Sequence, residues 1–464
     1  MKKIIFTILV SVFLFYPSQG FAEVKEIISE GTYNMGDGET PGVAESRALL
    51  QAKRTALEQA GTYVESYSKV INLKLTEDEI KVLASGLMEV EILDKKRTVV
   101  GDGIHFWVKI MARVQTEKME EMAKRVKEKD VIEDYKRIQE AYDKSQKDIE
   151  GLKKQLAQAK GDTEKKKVET RITDEERLFQ ANEWYEKGNQ YRLDKKYDKA
   201  IEAYTSAIAL DPNYAYAYSN RGGAYYEQGQ YDKAIEDCNK AIALDPKNAN
   251  AYNNRGIVYA GKGQYDRAIE DYNKAIAINP NLTQAYNNRG ITYAGKGQYD
   301  RAIEDFNKAI ALDPNDAYAY VGRGFAYAEK GQYDRAIEDY NRAITINPNY
   351  AEAYYNRGNA YADKGQPDRA IEDYNKAISL NPNDAAAYTV RGLAYDDKGQ
   401  HDRAIEDYNK AIALDPNYAY AYNNRGNAYY KIGNMGRAIS DFQKGCDMGD
   451  ENGCKGLKMA LENR

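Results

Sequence analysis

The sequence is poor in the residues that carry chemistry. Two histidines and three cysteines stand among 464 residues, and His105 and His401 lie far apart with no ligand-spaced partners around them. No Gly-rich phosphate loop occurs, because the glycines follow a regular period instead. Neither a catalytic centre, a metal nor a cofactor is therefore expected. Charge of one sign is missing too: 67 Lys and Arg against 72 Asp and Glu leave a net charge of -5, too weak a field to recruit nucleic acid or an anionic membrane. Phe (9) and Trp (2) are scarce beside 41 Tyr, so most rings have an edge that seeks water or a polar partner, which suits a thin structure better than a thick globule.

The only long apolar run is at the start. Lys2 and Lys3 precede the stretch Ile4 to Tyr16, followed by Pro17 and a small-residue end at Gly20-Phe21-Ala22, the three parts of a secretory signal. About thirteen apolar residues fall short of the roughly 20 that span a bilayer. Cleavage after Ala22, a periplasmic or secreted location and no membrane span in the mature chain are the expectations.

Residues 23–115 read as a small α/β domain. Ile104, Phe106, Val108, Ile110, Ala112 and Val114 alternate with polar residues, the period-2 mark of a half-buried strand, and Gly101-Asp102-Gly103 makes it the second arm of a hairpin. A first strand is expected around Ile27 to Met35. Between them, Ala44, Ala48, Ala52, Ala56 and Ala60 form a small-residue stripe on one helix, and Thr76 with Glu79 caps a second helix bearing Ile80, Leu83, Ala84 and Leu87. The run Ala44 to Gly61 and the closing G-D-G-I-H-F-W-V-K-I-M-A-R-V strand resemble the small envelope domain of Lpp20-type lipoproteins and of the N-terminal part of a flagellar assembly protein. That resemblance implies a bacterial envelope setting and adds no chemistry.

Residues 116–180 carry 17 basic and 17 acidic residues and no Pro, the composition of a solvated helix. Two seams can be laid over it, Tyr135, Tyr142, Ile149, Leu156 and Val131, Ile138, Leu152, Ala159, interrupted by Ser145. They suggest either a lone charged helix or a coiled coil that makes a homo-oligomer through 128–159, with a frayed linker after Gly161.

From 181 onward the sequence repeats every 34 residues. Gly188, Gly222, Gly256, Gly290, Gly324, Gly358, Gly392 and Gly426 recur without an insertion, each followed twelve residues later by Ala and four further on by Tyr, Phe or Cys238. Small residues mark where two helices cross, and Pro212, Pro246, Pro280, Pro314, Pro348, Pro382 and Pro416 stop the second helix of each pair. This pattern resembles the tetratricopeptide repeat (TPR) family, eight repeats over 181–452. The resemblance implies a mainly α fold, a solenoid of stacked helix pairs in a right-handed superhelix, with first helices lining a concave groove for protein or peptide partners. The tail 453–464, with Leu457, Met459 and Leu461, is expected to cap the array.

The groove is the one functional surface this sequence offers. Ahead of the recurring Gly stand Asn220-Arg221, Asn254-Arg255, Asn288-Arg289, Asn356-Arg357 and Asn424-Arg425. An amide both donates and accepts, which suits an extended peptide backbone, whereas Arg either takes carboxylates or braces the adjoining helix. Relatives that grip a C-terminal carboxylate place amides where Asn189 and Asn220 stand, but cations where this chain has Tyr185, Asn250 and Asn254, so the resemblance implies a neutral or extended ligand. Repeats five and seven break the ladder with Val321-Gly322 and Thr389-Val390. Cys238 reads as a buried thiol, and the Cys446 to Cys454 spacing resembles the disulfide loops of Sel1-type repeat proteins. Two functions remain: an exported adaptor working through its groove, or an envelope, flagellar or secretion accessory whose N-terminal domain is the functional end and whose repeats are a spacer.

Overall fold

The computed structural model describes residues 25–462 apart from 71, 72, 74, 102, 120, 121 and 124–128. The expected signal and its cleavage after Ala22 lie outside the described residues. The chain divides into two units between Gln230 and Tyr231, so the two helices of repeat two fall one in each.

In the first unit, β1 (Lys25–Met35), β2 (Met88–Val100) and β3 (Gly103–Val114) form an antiparallel sheet in the order β1-β3-β2. Alternation along β3 turns Phe106, Val108, Ile110, Ala112 and Val114 inward. They meet α1 (Pro41–Val70), whose five alanines are fully buried, and α2 (Glu77–Leu87), opened by the Thr76 and Glu79 capping box. The approach is so close that a Cβ on Gly31 of β1 would stand 2.1 Å from the Ala48 carbonyl, which is why small residues line both sides.

The charged segment is neither a lone helix nor a frayed linker. It forms α3 (Lys129–Gln158) and α4 (Asp162–Leu193), because a stretch of Lys, Glu and Gln with neither Pro nor Gly from 162 to 187 has every reason to stay helical. The seam that seemed to need a second chain is covered from within. Ile138 and Tyr142 pack with Val43 of α1 and with Phe179 and Tyr185 of α4, while Ile149, Leu152 and Leu156 pack with Val168 and Ile172. Even the interruption has a purpose: Ser145 Oγ and Gln146 Oε1 accept hydrogen bonds at 3.1 Å from Arg47, whose guanidinium lies 4.4 Å from the centre of the Phe179 ring. The physical ground for an oligomer through 128–159 is thereby removed. The end of α4 doubles as the first helix of repeat one, paired with α5 (Tyr197–Leu210) and followed by α6 (Ala215–Glu227).

The second unit opens with α7 (Tyr231–Leu244), the second helix of repeat two. First helices α8 (Ala249–Gly261), α10 (Thr283–Gly295), α12 (Ala317–Glu329), α14 (Ala351–Asp363), α16 (Ala385–Asp397) and α18 (Ala419–Lys431) then follow. They alternate with second helices α9 (Tyr265–Ile278), α11 (Tyr299–Leu312), α13 (Tyr333–Ile346), α15 (Pro367–Leu380), α17 (His401–Leu414) and α19 (Met435–Asp447). Gly263, Gly297, Gly331, Gly365 and Gly399 close their hairpins at φ 70–71° and Gly433 closes the last at 80°, a left-handed conformation that glycine adopts without strain. The recurring first-helix Gly makes room for an aromatic ring rather than for the second-helix Ala: a Cβ on Gly256 or Gly358 would lie 2.6 Å from Tyr272 or Tyr374. Consecutive first helices touch one another, and no two second helices come as close, so the first helices form the inner row of this unit.

The cap, α20 (Glu451–Glu462), starts before the expected boundary and uses another face. Gly453 lies on the backbone of Gly445 and Cys446, Gly456 on the Phe442 ring, and Ala460 and Leu457 join the core of repeat eight. Met459 and Leu461 point outward, 40% and 52% exposed. A disulfide joins Cys446 and Cys454 across this junction, with Cα atoms 4.5 Å apart.

Candidate functional site

The arginines expected in the groove are bound into the array. Arg255 donates from Nε and Nη2 to both oxygens of Asp271 at 2.7 Å and from Nη1 to Asn239 Oδ1 at 2.6 Å. Asp271 sits on the second helix of the same repeat and Asn239 on that of the repeat before, so each Arg ties two repeats together. Arg289 does the same with Asp305 and Asn273, and Arg357 and Arg425 continue the series. Hydrogen bonding to Asp271 holds the Arg255 guanidinium above its ordinary pKa, while burial pushes Asp305 upward against the opposing pull of Arg289. Arg221 donates to Thr205 Oγ1 at 2.9 Å. A planar five-donor fork suits such a clamp, and a guanidinium held this way is a brace, not a ligand contact. For Arg255 and Arg289 this is the bracing role that the sequence leaves open beside ligand contact; Arg221 shows the Thr205 bond of the same kind without the carboxylate fork.

The Asn ladder breaks into parts. Asn220 Nδ2 donates to Asp134 Oδ2 and Tyr185 Oη at 2.9 Å and to Asn189 Oδ1 at 3.1 Å. Asp134 belongs to α3 and is 5% exposed, so Asn220 holds a carboxylate of the chain's own helix, while Asn189 accepts from Asn220 and Tyr204. Arg137 of α3 also stacks 3.5 Å from the centre of the Tyr216 ring on α6. The first-helix face of repeat one and the start of α6 are thus already filled. In the second unit Asn254 is half-buried, Asn288 donates to Asn253 at 3.1 Å, and Asn424 is only 7% exposed. Asn356 lines an open cavity.

That cavity, of about 620 Å³, lies where the ladder is interrupted. Its walls are Phe325, Val390 and Leu393, its floor Tyr340 and Tyr374, its amides Asn356 and Asn359, and its edge Glu329, Asp363 and Asp397. At Gly322, the ladder position of repeat five, the Phe306 ring takes up the space a side chain would use: a Cβ there would stand 2.4 Å from it. Tyr374 Oη donates to Asn359 Oδ1 at 2.8 Å. Burial holds the Tyr340 and Tyr374 phenols far above their ordinary range, which keeps both neutral. Phe325 is 41% exposed. The sequence alone reads the interruption as a loss of site, yet Phe325 is an exposed apolar residue and Val390 and Leu393 are half-buried apolar residues on first helices, and that is the available signal.

Burial pushes the Cys238 thiol up to about 12, as befits an inert core residue. His401 Nδ1 lies 2.6 Å from Asp396, which also pairs with Lys431. Among the described residues no group of His, Cys, Asp and Glu is arranged to hold a metal, and no helix is long and apolar enough to cross a membrane.

Helix pairs of constant length, a small residue under an aromatic ring in every repeat but the second, and an inner row of first helices define an α-helical repeat scaffold. Family models described as TPR repeat and Tetratricopeptide repeat match 188–263, 249–316, 306–338, 324–365, 351–384, 373–406, 392–433 and 419–448, and the chain belongs to the tetratricopeptide repeat family, a protein-interaction scaffold. No match is found among curated proteins. The solved structure of the APC/C hetero-tetramer Cut9-Hcn1 is similar at 19% identity and TM-score 0.49 over 64% of this chain, which spans 59% of that one. A tetratricopeptide repeat protein from Parabacteroides merdae has 24% identity and TM-score 0.44, covering 54% of this chain and 98% of its own. YrrB, described as a TPR protein with an unusual peptide-binding site, has 28% identity and TM-score 0.33, covering 40% and 96%.

Proposed function

We propose that the chain is an exported adaptor that holds a segment of a partner protein against the first-helix face of repeats five to seven. The observation that carries this reading is the cavity of about 620 Å³ built from three consecutive first helices, with apolar walls and a half-exposed Phe325. Binding sites are concave, mostly apolar and provided with a few fixed polar groups. Export is supported by the apolar N-terminal run with its small-residue end and by the Cys446 and Cys454 pair, a link that persists in oxidising compartments. A photo-crosslinking side chain in place of Phe325 tests the reading in cells. It should give discrete protein adducts in the envelope or secreted fraction, while the same probe at Arg342, exposed on a second helix, should give none. Equal adducts from both positions, or none from position 325, contradict it.

A further inference from the structure

Repeats one and six share a feature that no other repeat has. Repeat one places Tyr185 and Asn189 on its first helix and Tyr204 on its second; repeat six places Tyr355, Asn359 and Tyr374 at the same positions. The local geometry is the same: Tyr204 donates to Asn189 Oδ1 at 2.7 Å and Tyr374 to Asn359 Oδ1 at 2.8 Å, with paired ring centres 5.8 and 6.2 Å apart.

In repeat one this triad receives a helix. Ile138 of α3 is buried in one cluster with Tyr185 and Tyr204, and Asp134, one turn earlier, accepts the Asn220 amide. In repeat six Asn359 and Tyr374 of the copy line the cavity, with two changes that alter what fits. Val390 stands where Asn220 stands, removing the donor for an acidic residue, and Glu329, Asp363 and Asp397 follow one another at the 34-residue period along the edge. Repeat one has Leu193 at that position.

We propose that the cavity of repeats five to seven takes an amphipathic α-helix of a partner protein. The helix is apolar along the line meeting Tyr374, Val390 and Leu393 and carries Lys or Arg along the edge meeting the three carboxylates. This rests on the adaptor reading and deepens it. Exposed ion pairs contribute little one by one, so the carboxylates select the partner while the apolar line holds it.

The test uses the full chain and three fluorescent peptides of about 18 residues, or five helical turns. One has an apolar stripe spaced as Val131, Tyr135 and Ile138 and flanked by Lys, one has the same stripe flanked by Glu, and one is the Lys peptide with two central prolines. By fluorescence anisotropy the Lys peptide should bind about tenfold more tightly than the Glu peptide, and the proline peptide should lose most of its binding. Substituting Glu329→Gln, Asp363→Asn and Asp397→Asn together, all exposed positions, should close the gap to about twofold or less. Equal binding of the Lys and Glu peptides, a gap that survives the triple change, undiminished binding of the proline peptide, or no binding of the Lys peptide overturns the helix proposal. The adaptor reading fails separately, by the absence of adducts from position 325.

Discussion

Repeat one and repeat six present nearly the same Tyr, Asn and Tyr surface, and one is filled while the other is open. Along repeat one, α3 supplies Ile138, Asp134 and Arg137, and the amides Asn189 and Asn220 are used in holding it. Along repeats five to seven, Asn356, Phe325 and Val390 line a cavity. The difference teaches that a first-helix residue of this array is a contact for a ligand or a fastening for the chain depending on what the sequence supplies elsewhere. The repeat itself does not decide it.

Substitutions can sharpen or break this comparison. The largest effect is expected at a clamp, because the open region keeps its shape through its Arg and Asp pairs rather than through a filling helix. Asp373→Ala leaves Arg357 half-buried without its carboxylate and should cost about 3 kcal/mol, read as a fall in the denaturant midpoint; an unchanged midpoint would show that the clamps do not stiffen the array. Next comes the filled face, where Ile138→Ala should cost about 2.5 kcal/mol by opening a cavity under α3, whereas Val390→Ala, at a half-exposed position, should cost about 1 kcal/mol or less. The amides give the smaller contrast. Asn220→Ala removes the amide partner of the buried Asp134, which keeps its Arg137 ion pair, and should cost about 1 kcal/mol, while Asn356→Ala should change stability by no more than about 0.5 kcal/mol. If thermal unfolding shows Asn220→Ala to be as harmless as Asn356→Ala, the two faces do not differ in the way described.

Much of the architecture was legible in the sequence because it is periodic. The 34-residue spacing of Gly188 to Gly426, the alternation from Ile104 to Val114 and the alanine stripe of α1 each state a local rule that the fold obeys. What was not legible depends on contacts distant in sequence. Ile138 and Tyr142 on a seam demand cover, but no pattern says that Val43, Phe179 and Tyr185 provide it. Arg47 shows the same, since only the fold brings it beside Ser145 and Phe179. At the site, a column of Asn-Arg pairs invites a groove reading, yet the partners that convert Arg255 and Arg289 into clamps lie sixteen residues away on both sides, one of them in the preceding repeat. The open cavity was not legible for the opposite reason: the ladder is broken at Gly322 and Val390, and nothing in the repeat pattern says that Phe325 and Leu393, at a position where Ile257 and Ile291 also stand, line an opening there.

Hydrogen exchange on the full chain, with and without the Lys-flanked helical peptide, tests the difference between the two faces most directly. The account predicts that the peptide slows exchange in 317–329, 351–363 and 385–397 and leaves 215–227 unchanged, because α3 already covers that face. Protection appearing in 215–227, or spread evenly over all the first helices, would contradict it.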